Sequence, residues 1–286
     1  MRLSVGFIMK ARINRIIPFS NVDGPGNRMA IFFQKCPFSC LYCHNPETIN
    51  ECINCGKCVS FCKSEALSII DNKVIWDDKK CVGCDTCIRI CPNMSSPKTR
   101  LYSVSDIVKM LNDIKPFIRG ITVSGGECMN YASFILEVFK EAKKLNLSCL
   151  IDSNGYYDFK KYPELLAVCD GVMLDVKAFD NEFHRFVTKN DNDMVLKNLE
   201  FLLENNKLYE VRTVILPEYN EENSRTVEEV SRIIGSKVRY KLIKYRPFGV
   251  RDEGIRVFGD RIVADSTIDN MVEIAKENGC NTTITI

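Results

Sequence analysis

Eleven of the fifteen cysteines fall between residues 36 and 91, and a window that dense must be organised by disulfides or by metal. Disulfides persist only in oxidising compartments. No apolar run approaches the roughly 18 residues of a membrane span. The N-terminal "MRLSVGFIMK" offers an apolar stretch of only about six residues, shorter than the core of a secretory signal. The chain is therefore expected to remain in the cytoplasm, with its thiols reduced and most of them holding metal. A formal net charge of +2 across 286 residues gives no electrostatic case for nucleic acid or an anionic membrane as partner.

Most of these cysteines belong to a repeat. "CINCGKCVSFC" (52–62) and "CVGCDTCIRICP" (81–92) share the spacing C-x2-C-x2-C-x3-C. Four thiolates hold a 4Fe–4S cube, and where two such runs occur together the fourth cysteine of each ligates the other cluster. On that rule Cys52, Cys55, Cys58 and Cys91 bind one cluster, and Cys81, Cys84, Cys87 and Cys62 bind the second. Pro92 follows Cys91 as the pattern expects, whereas Lys63 follows Cys62. Paired C-x2-C steps also suit tetrahedral zinc; the even repetition of four cysteines favours iron and sulfur. "MSSPKTR" (94–100) reads as an exit linker. Residues 50–97 are thus expected to form an inserted two-cluster module that resembles a bacterial dicluster ferredoxin. The main domain is then discontinuous, made of residues 1–49 and 98–286.

Outside the module, apolar runs that end in turn residues alternate with amphipathic stretches. "RMAIFFQ" (28–34), "GITVSGGE" (120–127), "SCLIDSNG" (148–155), "GVMLDVK" (171–177), "YEVRTVILP" (209–217) and "YKLIKYRPFG" (240–249) read as buried strands. "SDIVKMLNDIK", "ASFILEVFKEAKKL", "MVLKNLEFLLENN" and "RTVEEVSRII" have apolar spacings of three and four, as helices do. Ser105 is a candidate helix start and Asn206 a candidate stop. Six strands alternating with helices predict an α/β chain with a parallel sheet, either an open partial barrel or a doubly wound sheet. Either arrangement places chemistry at the carboxyl ends of the strands, where "SGGE", "DSNG" and "DVK" stand.

The first strand runs into "CPFSCLYCHNPE", which holds Cys36, Cys40 and Cys43. Three thiolates can ligate three irons of a cube and leave the fourth open to a substrate, the logic that separates catalytic from structural metal sites. A three-cysteine zinc site completed by His44 is the alternative. C-x3-C-x2-C with Tyr42 before its last cysteine resembles the signature of the radical S-adenosylmethionine (SAM) enzymes. "DGPGNR" (23–28) upstream, together with "CHNPET", resembles the glycyl radical enzyme activating enzymes within that superfamily, over about residues 12 to 260. Length and texture are similar to the YjjW-type branch.

That resemblance implies a partial (β/α)6 radical SAM barrel with the 2×4Fe–4S ferredoxin-like domain inserted. It implies three 4Fe–4S clusters, one of them site-differentiated at Cys36, Cys40 and Cys43 so that SAM binds its open iron. The "SGGE" segment, with Gly125, Gly126 and Glu127, would receive the methionyl amino group. Tyr42, Asp152, Ser153, Asn154, Met173 and Asp175 would line SAM. Asp152, Ser153, Met173 and Asp175 would also hold a monovalent cation beside its carboxylate. Lys177 and Arg212 would contact the carboxylate or ribose. The implied activity is reductive cleavage of SAM to a 5′-deoxyadenosyl radical, which takes a Cα hydrogen from a glycine near the C-terminus of a partner enzyme. A flavodoxin or ferredoxin-type donor would supply electrons to a monomeric activase. Two departures stand out: Lys189 occupies a place usually held by glycine, and Arg246 follows Tyr245 where relatives often have histidine. His184 is expected to be structural, and Cys128, Cys149, Cys169 and Cys280 to be small core residues. A radical SAM enzyme acting on a small molecule, and a plain electron carrier, are the competing functions.

Overall fold

The computed structural model describes residues 9–286, so the apolar start of the N-terminus lies outside the described residues. The six expected strands are all present: β2 (Arg28–Phe33), β6 (Gly120–Gly125), β7 (Ser148–Ser153), β8 (Gly171–Asp175), β9 (Leu208–Ile215) and β10 (Arg239–Lys244). Neighbours in this series pair in parallel. Their runs are apolar because a parallel sheet with helices outside and a packed interior buries both faces: Met29, Ala30, Ile31 and Phe33 are all fully buried.

Three further strands extend this sheet. β1 (Lys10–Ser20) and β5 (Arg100–Ser103) add antiparallel pairs beside β2, and β11 (Thr283–Thr285) adds a parallel pair beyond β10. The nine-stranded sheet has the order β11-β10-β9-β8-β7-β6-β2-β1-β5. It is an open, barrel-like sheet, with β11 and β5 as its edges. Strands β5 and β11 are too short for period-two patterning to announce them, and β1 mixes polar residues into both faces.

Helices α3 (Ala132–Lys144), α4 (Pro163–Val168), α5 (Asn181–Thr188), α6 (Asp193–Glu204) and α7 (Asn220–Ile234) make the crossovers, and α2 (Val104–Ile114) precedes β6. Ser103, not Ser105, starts α2. Its hydroxyl accepts from the Asp106 N–H, and the Asp106 carboxylate accepts from the Ser103 N–H at 2.8 Å. This reciprocal pair satisfies two N-terminal donors at once, and Ser105, two residues inside, cannot make it. Asn206, at φ 54°, ends α6 one residue after its cap. Beyond β10, α8 (Asp252–Phe258) and α9 (Asp265–Glu277) close the chain.

Arg28, the last residue of "DGPGNR", is fully buried. Its guanidinium donates to Thr122 Oγ1 and Ser148 Oγ, both at 2.8 Å, and to the Ile121 carbonyl at 2.6 Å and the Ser148 carbonyl at 3.0 Å. One side chain thus ties the starts of β2, β6 and β7 together. Burial lowers its pKa, and only this number of acceptors makes a charged group tolerable there.

Residues 50–97 leave the sheet after β2 and return before β5. They contain the hairpin β3 (Leu67–Ile70) and β4 (Lys73–Trp76), and the short α1 (Thr86–Arg89). Their two ends lie side by side: the Asn50 N–H donates to the Met94 carbonyl at 3.1 Å, and Asn93 Nδ2 donates to the Glu51 carbonyl at 2.8 Å.

Lys189 ends α5 in the left-handed region, at φ 68°. A left-handed conformation costs a side-chain-bearing residue about 1–2 kcal/mol, partly offset by the chain entropy that glycine loses on folding. Lys189→Gly is expected to stabilise the protein by about 0.5 kcal/mol, read as a higher thermal midpoint; a fall would show that the lysine side chain earns its place.

Candidate functional site

The loop 36–43 is suspended between three elements at the carboxyl end of β2. The Lys35 and Cys36 N–H groups donate to the Thr48 and Ile49 carbonyls at 2.8 and 2.9 Å. On the other side, Ser39 and Leu41 donate to Thr188 and Val187, the last residues of α5, at 2.9 and 2.8 Å. Asn190 Nδ2 donates to the Pro37 carbonyl at 3.0 Å, and His184 presents its ring edge to Phe38 with centroids 5.4 Å apart. The stretch around "FHRFVTKND" therefore backs the cysteine loop, and His184 is a fully buried part of that support.

Gly125 and Gly126 bring β6 against the same loop. A Cβ on Gly125, whose φ is +120°, would stand 2.2 Å from the Phe33 nitrogen, and one on Gly126 would stand 2.4 Å from the Lys35 carbonyl oxygen. Only glycine permits this approach. Gly126 and Glu127 then donate to the Phe33 and Lys35 carbonyls, both at 2.9 Å.

The loop and the strand ends enclose a cavity of about 320 Å³, a size suited to a small-molecule cofactor. Cys36, Cys40, Cys43 and Tyr42 line it from the loop; Gly125, Gly126, Asp152, Ser153, Asn154, Asp175, Lys177 and Arg212 line it from the strands. Two expected residues do not. Glu127 is 1% exposed, and its carboxylate is turned away, accepting from the Met129 N–H at 2.9 Å, Ser153 Oγ at 3.0 Å and the Asn154 N–H at 2.8 Å. Burial pushes this carboxyl up to about 7. It braces the ends of β6 and β7 against each other instead of facing the cavity. Met173 is also fully buried, with Arg212 Nη2 donating to its sulfur at 2.9 Å.

Arg212 is the electrostatic centre of the far wall. It pairs with Asp152 at 3.0 Å and with the fully buried Glu210 at 2.7 Å, and Lys177 pairs with Asp175 at 2.9 Å. Three further residues line the cavity: Asp23, the first of "DGPGNR", and Val214 and Ile243 from β9 and β10, which no motif singled out. Period-two spacing from Arg212 to Val214 was the available signal for the second of these. His44 Nε2 donates to the Arg246 carbonyl at 2.9 Å, so the position expected to depart from a histidine pattern is met by a histidine from the cysteine loop.

The donor set suits a metal cluster. Burial pushes the Cys43 thiol up to about 12 and raises Cys36 and Cys40. Three adjacent buried thiols ionise only beside a strong positive charge, which a metal centre supplies.

In residues 50–97 the thiols form two further groups. Cys52, Cys55, Cys58 and Cys91 surround one small cavity with Pro92; Cys62, Cys81, Cys84 and Cys87 surround another with Trp76 and Lys98. Each group takes its fourth cysteine from the other run. Cys128, Cys149, Cys169 and Cys280 are buried in the main domain. Among the described residues no helix is long and apolar enough to cross a membrane.

The sequence matches the radical SAM superfamily over residues 30–230. It is 30% identical to a Haemophilus influenzae protein described as a glycyl-radical enzyme activating enzyme, over 96% of both chains. It is 30% identical to the 4-hydroxyphenylacetate decarboxylase activating enzyme of Clostridium scatologenes, over 69% of this chain and 70% of that one. Among solved structures, QueE from Escherichia coli superposes with a TM-score of 0.51 at 14% identity, covering 97% of this chain and 95% of its own. SuiB from Streptococcus suis superposes with a TM-score of 0.58 at 12% identity, covering 88% of this chain and 47% of its own. These last two likenesses concern the fold.

Proposed function

The chain belongs to the radical SAM superfamily and, within it, to the glycyl-radical enzyme activating enzymes; from that premise we propose that the cavity at Cys36, Cys40 and Cys43 is where it activates a partner. When bound there, a 4Fe–4S cluster and SAM supply a 5′-deoxyadenosyl radical that removes a Cα hydrogen from a glycine of a glycyl radical enzyme. The observation that supports this reading best is the convergence of a C-x3-C-x2-C loop on a charged cavity at the carboxyl ends of six parallel strands.

The residues have separable tasks. Cys36, Cys40 and Cys43 would hold the 4Fe–4S cluster. Gly125 and Gly126 expose backbone to the methionyl amino group, with Glu127 bracing them from behind. Asp152, Ser153, Asp175, Lys177 and Arg212 would face the carboxylate and ribose, and Asp152, Asp175 and Ser153 are the ligands we assign to a monovalent cation, Met173 lying behind the cavity wall. The open sheet admits a glycine loop from near the partner's C-terminus. A glycine suits that role because nothing shields its Cα. The two thiol groups in residues 50–97 would hold two further 4Fe–4S clusters in a ferredoxin-like domain. Bound there, such clusters would supply a path for electrons from a flavodoxin or ferredoxin-type donor, in a chain we take to act as a cytoplasmic monomer.

Anaerobically reconstituted protein is expected to hold about twelve irons, the sum of three four-iron clusters. It should form 5′-deoxyadenosine with dithionite and raise a glycyl radical signal on the partner encoded beside it. SAM cleavage without that radical on any such partner would move the assignment to a small-molecule substrate. Iron near eight with no 5′-deoxyadenosine would reduce the protein to an electron carrier.

A further inference from the structure

Asn154 lies at the end of β7 and is 6% exposed. Its backbone N–H donates to the buried Glu127 carboxylate at 2.8 Å, which fixes the residue in place. Its side-chain oxygen accepts from the Tyr156 N–H at 3.0 Å. Because a backbone N–H can only donate, this contact settles which end of the amide is oxygen, and the amide nitrogen must point the other way. It points at Cys36 Sγ, 3.4 Å distant.

We propose that Asn154 is a positioning residue that donates an N–H···S hydrogen bond to Cys36, making a cluster on this loop easier to reduce. This rests on the assignment of Cys36 as a cluster ligand. On reduction one electron arrives from the external donor, no bond at sulfur breaks and no proton moves; negative charge grows on the cluster and its thiolates. A donor held against one thiolate stabilises that charge, and hydrogen bonds to ligand sulfurs are among the factors that set iron–sulfur potentials. Glu127 acts one step further back, by fixing the backbone from which the amide projects.

Asn154→Asp keeps the acceptor for Tyr156 and replaces the donor with an oxygen, while Asn154→Ala removes the donor and the Tyr156 acceptor together and adds no charge. The midpoint potential of the cluster whose EPR signal responds to SAM is measured in the full-length protein without SAM. It is expected to fall in both variants, further in Asn154→Asp. There the reduction equilibrium should shift about tenfold, which is about 59 mV for one electron. Unchanged potentials in both variants, with about twelve irons retained, would overturn the inference. Should a variant lose its cluster, wild-type protein labelled with ¹⁵N only at asparagine decides. Its reduced SAM-responsive cluster should show a weak ¹⁵N coupling, and the absence of that coupling would overturn the inference equally. Zinc in place of iron on this loop in the wild type would defeat the proposed function itself, a separate failure.

Discussion

Cys40→Ala is expected to abolish 5′-deoxyadenosine formation while leaving the rest of the protein assembled. Cys40 is buried in the middle of the loop, its N-terminal neighbour Ser39 and its C-terminal neighbour Leu41 each anchored to the end of α5. The backbone path therefore survives loss of the thiol. Two remaining sulfurs at Cys36 and Cys43 cannot hold three irons, so iron should fall from about twelve to about eight per chain. The EPR signals of the two clusters in residues 50–97 should persist, because their eight cysteines lie in two separate groups. An alanine in place of a small buried thiol leaves little cavity, so thermal stability of the main domain should change by less than about 1.5 kcal/mol. Full SAM cleavage by this variant would remove Cys40 from the site; loss of all iron would mean that the module depends on the loop in a way its separate thiol groups do not suggest.

The second large effect is on stability. Arg212→Leu should destabilise the protein by about 3–5 kcal/mol at neutral pH, the cost of leaving buried carboxylates without their partner. Glu210 is fully buried, and Asp152 is nearly so; Arg212 pairs with both. Glu210 also pairs with Arg239, whose side chain is 43% exposed. In the wild type, burial works to raise the Glu210 carboxyl, but Arg212 and Arg239 overcome it and hold it below its usual value. Its contribution is thus present above the unfolded carboxyl value and lost only as pH falls through the lower folded one. Asp152 behaves oppositely, raised by burial despite Arg212. Removing the guanidinium leaves burial opposed at Asp152 chiefly by the hydrogen bond from the Ser124 hydroxyl, and weakly opposed at Glu210. Both carboxyls then rise, and a raised carboxyl loses stability as pH increases through its folded value. The deficit of Arg212→Leu should therefore narrow as pH falls from about 8 to about 5. Chemical denaturation across that range would show it. A deficit independent of pH would mean that lost packing, not unpaired charge, is the cause.

Legibility varied with the physical origin of each feature. The six parallel strands were visible because burial on both faces demands apolar runs, and those runs are bounded by turn residues. The grouping of Cys52, Cys55, Cys58 and Cys91 around one small cavity and of Cys62, Cys81, Cys84 and Cys87 around another is the one expected from the rule for paired four-cysteine runs, which local spacing by itself does not give. Strand β1 was hidden by the polar residues that its edge-ward position tolerates. The start of α2 was misplaced by two residues, since Ser103 and Ser105 carry the same side chain and only the reach of Asp106 chooses between them.

By itself the sequence determined which chemical groups the protein possesses and in what order they arrive: three thiols on one loop, eight in a repeat, and polar punctuation after each apolar run. Tertiary structure decided which way the side chains turn. "SGGE" supplies a carboxylate in either case, but only packing of β6 against β7 shows that Glu127 faces inward as a brace. "DSNG" supplies an amide, but only the fold brings Cys36 against its nitrogen. "DGPGNR" reads as a turn, and only the folded sheet shows Arg28 holding three strands. The reason is common to all three: spacing along a chain sets which groups are near in sequence, whereas direction is set by partners some 26 to 120 residues away.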